Sequence, residues 1–173
     1  TATTEIYTLS LPRRSSDLDW ARKVGNATIR LSVGYMGIVG VLLAAAAPWL
    51  LPAFVPAGDA NAAEVVRLGA LLLWFAAIYQ AFDGLNIGAS FCLRGAGDTR
   101  VPALVVLGLA WGLFLPLAHT LTFAPGQAWI GGLPQAGWGA TGGWTAAVIY
   151  CCALGVSLFL RWRSGAWREI VVR

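Results

Sequence analysis

Charged residues are scarce in this chain of 173 residues: aspartate, glutamate, lysine and arginine make up 12% of it, whereas 58% is hydrophobic. A soluble domain carries about a quarter charged residues. The uncharged runs reach about 20 residues or more, which is the length that a helix needs to cross a hydrocarbon core about 30 Å thick. The composition therefore predicts an all-α integral membrane protein.

Histidine and cysteine are also rare, with His119 alone and three cysteines, Cys92, Cys151 and Cys152. The cysteines lie inside apolar runs without the spacing of zinc or iron–sulfur ligands, so we interpret them as packing residues. His119 has no cysteine, serine or carboxylate partner in sequence, and we expect it to reach the membrane interface. These absences predict that the chain is not an enzyme and has no cofactor.

Four apolar runs follow Asp19, at about 27–54, 65–93, 101–121 and 137–160. Lysine and arginine lie before the first run, between the second and third, and after the fourth, whereas the connections 55–64 and 122–136 contain neither. The positive-inside rule then places both ends in the cytoplasm. We expect a multi-pass protein of the cell inner (plasma) membrane with a cytoplasmic tail at 164–173. The net charge of +4 comes from arginines at the ends of these runs, so no nucleic-acid partner is expected.

An aspartate, Asp83, lies inside the second run, about eleven residues before Arg94. At about 1.5 Å per residue this is about 16 Å along the helix, near the middle of the membrane. An ionised carboxylate there costs on the order of 3 kcal/mol. Other polar side chains share its helical face at positions −4, −3, +3 and +7, namely Tyr79, Gln80, Asn86 and Ser90.

A polar stripe of this kind should face a water-filled cavity or a polar partner, because lipid satisfies no hydrogen bond. One interpretation is that Asp83 binds a coupling cation, with Asn86 and Tyr79 in the same site. Oxygen ligands suit Na⁺, in which case Asp83 is a metal ligand, and a buried carboxyl group suits H⁺. The other interpretation is a structural aspartate that is hydrogen-bonded to a neighbouring helix.

The second and third runs are joined by the sequence LRGAGDTRVP at residues 93–102. We expect its glycines to adopt positive φ and Asp98 or Thr99 to cap the next helix, with Pro102 in the first turn of that helix. The turn comprises Arg94, Gly95, Gly97, Asp98, Thr99 and Arg100. It lacks the GK[ST] sequence and the preceding strand of a phosphate-binding loop.

This turn, with Trp111 and LPL at 115–117 in the helix that follows, resembles the C-terminal lobe of multidrug and toxic compound extrusion (MATE) transporters of the NorM type. The resemblance runs from about residue 19 to 163. It implies that the four spans are the last four, helices 9–12, of a twelve-helix transporter with two lobes. It also implies that Asp83 corresponds to the cation-binding aspartate of the tenth helix.

The same resemblance implies a cation-coupled (Na⁺ or H⁺) efflux antiporter that exports organic, often cationic compounds by alternating access. Its partners would be a small-molecule drug or metabolite, the lipid bilayer and the N-terminal lobe of the same protein. No residue of this chain is assigned to substrate binding. Two alternatives remain open: a lipid-linked sugar flippase of the same superfamily, and a non-transporting four-helix membrane scaffold that begins near Asp19.

The first eighteen residues, TATTEIYTLSLPRRSSDL, show neither the apolar core of a signal peptide nor helical periodicity. They resemble the conceptual translation of a common short-read sequencing adapter. We therefore expect residues 1–18 to be non-native and the rest to be the C-terminal fragment of a longer protein.

Overall fold

The computed structural model describes residues 2–56, 58, 60–128 and 130–169, with side chains from Ser16 onward. Within these residues the regular structure is entirely helical. The helices are α1 (Ala2–Leu50), α2 (Ala62–Gly95), α3 (Arg100–Leu109), α4 (Leu115–Thr122) and α5 (Ala140–Ser164). Short 3₁₀ helices follow α1 and α5 at Leu51–Phe54 and Ala166–Glu169, and a π-helical turn, Ala110–Phe114, joins α3 to α4.

Four helical segments are long and apolar enough to cross a membrane: Ser16–Phe54, Ala62–Gly95, Arg100–Thr122 and Ala140–Ser164. The predicted all-α, four-span fold is therefore confirmed. The last three segments agree with the predicted spans to within about four residues, which is the usual precision of a boundary read from hydropathy.

The first helix differs from the prediction, because α1 extends back to Ala2 instead of starting after residue 18. Helical periodicity reports which face of a helix is buried, whereas the hydrogen bonds of a helix form without any apolar face. A segment without periodicity can therefore continue a helix that is already nucleated. The adapter origin of residues 1–18 stays a prediction.

Close packing of α1 on α2 depends on two glycines of α2. A Cβ atom on Gly84 would lie 2.8 Å from the carbonyl oxygen of Ser32, and one on Gly88 would lie 3.0 Å from the Cα of Ile29. In lipid, where no hydrophobic effect drives helices together, small residues allow this backbone approach. The Gly84/Gly88 pair in the sequence thus marks a real helix contact.

The fourth span packs on α2 at a different point. A Cβ atom on Gly155 of α5 would lie 2.7 Å from the carbonyl oxygen of Phe82 and 3.4 Å from the amide nitrogen of Asn86. Gly108 and Gly112, spaced in the same way as Gly84 and Gly88, would have nothing within 4 Å of an added Cβ atom. Spacing alone therefore does not identify which glycines lie at an interface.

A buried cluster closes the end of the bundle near the α2–α3 turn. Trp162 of α5 is 3% exposed, and its indole nitrogen donates to Oδ1 of Asn26 of α1 at 2.9 Å. The ring of Trp167 stacks on that of Trp162 with centroids 4.5 Å apart, and Arg168 pairs with Asp19 at 2.8 Å. The start of the predicted tail thus folds back onto α1; residues 170–173 lie outside the described residues.

The long connection between α4 and α5 lies against the end of α4. Backbone N–H groups of Ala136, Trp138 and Gly139 donate to the carbonyl oxygens of Thr120, Leu121 and Thr122 at 2.8 to 3.0 Å. The last carbonyl groups of a helix have no partner within it, so this connection satisfies them.

The histidine of α4 has a structural contact with the same connection. Nε2 of His119 accepts a hydrogen bond from the backbone N–H of Ile130 at 3.2 Å, and its Nδ1 atom is buried. The connection thus folds over the imidazole, and the expectation that His119 reaches the membrane interface stays a prediction.

Candidate functional site

The polar stripe of α2 lines a cavity of about 370 Å³. Tyr79, Asp83 and Asn86, the residues predicted for the cation site, lie on its wall together with Ser90. Their spacing of four, three and four residues keeps them on one face of the helix. The other walls come from Val106 of α3 and from Tyr150, Cys151 and Leu154 of α5.

One member of the predicted stripe lies elsewhere. Gln80 does not line the cavity, and a Cβ atom on Gly40 of α1 would lie 3.2 Å from the Cβ of Gln80. Successive residues of a helix point about 100° apart, so Tyr79 and Gln80 face different neighbours. Gln80 therefore belongs to the contact with α1.

Asp83 is half-buried and receives a hydrogen bond from its own helix. The amide Nδ2 of Asn86 donates to Oδ1 of Asp83 at 3.1 Å. In the described part of the chain, no hydrogen bond reaches the carboxylate of Asp83 from another helix. The contact expected of a structural aspartate, a partner on a neighbouring helix, is thus absent among the described residues.

Two tyrosines line the cavity from different helices, Tyr79 from α2 and Tyr150 from α5, and each ring has an aromatic contact. The ring of Tyr79 meets Trp144 edge to face with centroids 6.5 Å apart, and the ring of Tyr150 contacts Phe114 at 5.3 Å. The thiol of Cys151 donates to the backbone carbonyl of Tyr79 at 3.7 Å, which joins α5 to α2 at this level. Aromatic pairs in edge-to-face or tilted contact favour particular orientations of the rings that they contain.

Sequence reasoning missed Tyr150, which lies in an apolar run without any polar periodicity. Only the packing of α5 against α2 brings it beside the stripe. The one signal in the sequence was that Tyr150 places a hydroxyl group in the middle of a span. Such a group needs a polar neighbour, because lipid provides none.

The turn after α2 adds a cation and a buried ion pair. Arg94 lines the same cavity and lies 5.8 Å from the centroid of the Phe91 ring. Asp98 is 3% exposed; its Oδ1 accepts from the backbone N–H of Val101 at 3.4 Å, which agrees with the predicted capping role. Its Oδ2 accepts from Nε of Arg161 at 2.8 Å, a contact that the sequence did not suggest.

The backbone of the other turn residues agrees only in part with the prediction. Gly97 has φ of +87°, as expected, whereas Gly95 still belongs to α2 and has no positive φ. Thr99 precedes α3 without a side-chain capping bond, and Pro102 lies in the first turn of α3 as predicted. Gly97 is therefore the one residue of this turn with a positive φ.

The cavity offers one carboxylate, one amide and several hydroxyl groups. Hard oxygen ligands suit Na⁺, and a lone carboxylate in an apolar surrounding suits a proton. Among the residues that the structure describes, no three side chains of histidine, cysteine, aspartate or glutamate come together as a metal-binding group. The cavity thus brings these oxygen-bearing side chains together with the guanidinium group of Arg94.

Curated proteins provide an independent comparison. The chain is 31% identical over 139 residues to "Probable multidrug resistance protein NorM" of Brucella suis, and 31% identical over 143 residues to "Multidrug resistance protein NorM" of Burkholderia vietnamiensis. It is 33% identical over 155 residues to "Probable multidrug resistance protein NorM" of Pseudomonas aeruginosa. These alignments cover 80% to 83% of the chain.

The chain belongs to the NorM-type MATE family. It spans 27% to 28% of the length of these three NorM relatives, so it corresponds to about a quarter of such a protein. No protein-family model matches the chain. No solved structure matches it either. The names of these relatives describe multidrug resistance proteins and not enzymes, and the prediction that the chain is not an enzyme is confirmed.

Proposed function

We propose that this chain forms part of a cation-coupled multidrug efflux antiporter and that Asp83 binds the coupling ion. The observation that carries the proposal is the position of Asp83 on a polar cavity inside a bundle of apolar helices. A carboxylate in a membrane span is expensive, so it is retained where it contacts an ion or a polar partner.

The ligand set of the proposed site spans two helices. Asp83 supplies the carboxylate, Asn86 orients it through the 3.1 Å hydrogen bond, and Tyr79 and Tyr150 bring hydroxyl groups to the same cavity. Either Na⁺ or H⁺ would bind there, and Asp83 is a metal ligand only in the Na⁺ case. The site would then release its ion when a second lobe moves against this one, as alternating access requires.

Orientation and partners follow from charge and length. The arginines around the α2–α3 turn and at the end of α5 favour a cytoplasmic location for both, in the cell inner membrane. Since the chain is about a quarter of the length of its relatives, export of a drug or metabolite is proposed for a longer protein with a complementary lobe.

The alternatives have less support. A lipid-linked sugar flippase would need several arginines deep inside the membrane, whereas Arg22 precedes the apolar run 27–54, Arg30 is close to the start of that run, and Arg163 is in the last turn of α5. A non-transporting scaffold would not account for the similarity to multidrug resistance proteins over four fifths of the chain. The scaffold predicts no ion dependence at Asp83.

The test is cation binding by the chain itself in lipid nanodiscs. Equilibrium binding of ²²Na⁺, with proton release recorded in parallel, should show one site that Asp83→Asn abolishes. Asp17→Asn is the matched control, because Asp17 is an exposed carboxylate on α1. If Asp83→Asn binds Na⁺ and exchanges protons as the wild-type chain does, the proposed site is wrong.

A further inference from the structure

A second cavity, of about 650 Å³, lies between α1 and α5 and is separate from the Asp83 cavity. Its polar lining consists of Arg22, Asn26 and Arg30 of α1 and Arg163 of α5. Its apolar lining consists of Ile29, Val33, Gly34, Leu85 and Phe159. We call it the arginine groove.

The charges of the groove are not balanced from within the described part of the chain. The ion pairs found there are Arg67–Glu64, Arg161–Asp98 and Arg168–Asp19, and none involves an arginine of the groove. Arg22 donates to the backbone carbonyl of Arg163 at 3.4 Å, which brings α1 and α5 arginines together at one side of the groove. Three guanidinium groups thus share a cavity that no described carboxylate lines.

The groove lies at the level where phospholipid headgroups are expected. Arg30 stands at the start of the apolar part of α1, and Arg163 is in the last turn of α5. Arg22 is two turns before Arg30, about 12 Å along the helix. From Ile29 and Val33 the apolar lining continues toward the membrane interior, so the groove is basic at its outer end and apolar at its inner end.

We propose that the arginine groove binds an anionic phospholipid of the cytoplasmic leaflet. The phosphate group would accept charge-assisted hydrogen bonds from the guanidinium groups, and the start of an acyl chain would lie along Val33, Gly34 and Phe159. Basic pockets between transmembrane helices on the cytoplasmic side recognise anionic headgroups by this combination. The lipid would join α1 to α5 at the end of the bundle where Trp162 and Asn26 also meet. This assignment does not depend on the Asp83 site.

The experiment is a titration of the detergent-solubilised chain with a short-chain phosphatidylglycerol, followed by native mass spectrometry. A neutral micelle has no surface potential, so the measurement reports the groove rather than general attraction to a charged membrane. We expect one phosphatidylglycerol per chain and at least tenfold weaker binding of phosphatidylcholine. Arg30→Gln should weaken phosphatidylglycerol binding about tenfold, as the loss of one charge-assisted hydrogen bond does.

The matched control for charge is Arg100→Gln. Arg100 is an exposed arginine at the start of α3 that does not line the groove. The double variant Arg30→Gln/Arg163→Gln is compared with Lys23→Gln/Arg100→Gln, which removes the same net charge. Equal losses in the two double variants would overturn the proposal, because the binding would then follow total charge.

A second variant keeps every arginine and fills the groove instead. Gly34 lines the groove and has nothing within 4 Å of an added Cβ, so Gly34→Leu should fold normally while occupying the path of the acyl chain. Gly112→Leu is its control, because Gly112 is equally open and lies outside the groove. We expect about tenfold weaker lipid binding for Gly34→Leu and no change for Gly112→Leu.

Two further results would overturn the assignment. Phosphatidylcholine binding as tight as that of phosphatidylglycerol would show that the arginines do not select a charge. Displacement of phosphatidylglycerol by inorganic phosphate at equal concentration would show that the site takes a free anion and not a lipid. Circular dichroism of every variant verifies that the helices are retained.

Discussion

The carboxylate of Asp98 and the guanidinium group of Arg161 form an ion pair with an N–O distance of 2.8 Å, between residues 63 positions apart in the chain. Asp98 is almost completely buried in the α2–α3 turn, whereas the Arg161 side chain is 27% exposed. The same carboxylate caps the start of α3 through Val101. The turn is therefore fixed both to the helix that follows it and to the end of α5.

Removing this pair should destabilise the fold. Asp98→Ala leaves Arg161 without its partner at a partly buried position and deletes the cap of α3. Loss of one partner from a buried pair costs about 3 kcal/mol. The free energy of unfolding, measured by circular dichroism during denaturant titration in mixed micelles, should fall by about that amount.

The control for this prediction is Asp17→Ala, which removes an exposed carboxylate and should change the unfolding free energy by less than about 0.5 kcal/mol. Asp98→Asn should have an intermediate effect, because its amide oxygen still accepts from Arg161. Equal stability of Asp98→Ala and the wild-type chain would mean that the pair does not contribute to the fold.

The contact between α1 and α2 gives a second prediction, based on Gly84. A methyl group there would lie 2.8 Å from the carbonyl oxygen of Ser32, which belongs to the backbone and has little freedom to move. Gly84→Ala should therefore separate the two helices and destabilise the chain by about 1–3 kcal/mol, as overpacking does. The same denaturant titration measures it.

Gly108→Ala is the matched control, because Gly108 is also in a spanning helix but has open space around an added Cβ. Alanine favours a helix more than glycine does, so this variant should be neutral or slightly stabilised. A Gly84→Ala chain as stable as Gly108→Ala would argue against the close contact of α1 and α2.

The sequence predicted much of the fold, because the features that define membrane spans are local. Length, hydropathy and the distribution of arginine predicted three of the four spans to within about four residues. The early start of α1 was not predicted, since residues 1–18 show no helical periodicity in the sequence. The partners of Asp98 and Trp162 were not predicted either, because each depends on how distant helices pack.

Part of the candidate site was also predicted, because some of its residues lie close together in the sequence. Tyr79, Asp83 and Asn86 share one helical face, so their spacing sufficed to group them. The prediction that Gln80 shares this face was wrong. Residues that are three or four positions apart cover a wider part of the helix surface than the part that lines the cavity. Tyr150 was missed because it reaches the cavity from another helix, and a single sequence does not show which helix faces which.

The position of Tyr150 leads to the last prediction, which separates the two possible coupling ions. Tyr150→Phe removes one hydroxyl group from the Asp83 cavity and keeps the ring that packs on Phe114 at 5.3 Å. If the cavity binds Na⁺, loss of one oxygen ligand should weaken ²²Na⁺ binding by about tenfold, the effect of one interaction with a charged group. If the ion is a proton, the hydroxyl group is not a ligand, and proton exchange at Asp83 should be nearly unchanged. Tyr35→Phe, at an exposed position on α1, is the control and should leave both measurements unaltered. A Tyr150→Phe chain that binds Na⁺ as tightly as the wild-type chain would exclude this residue from the ligands and restrict the site to the residues of α2.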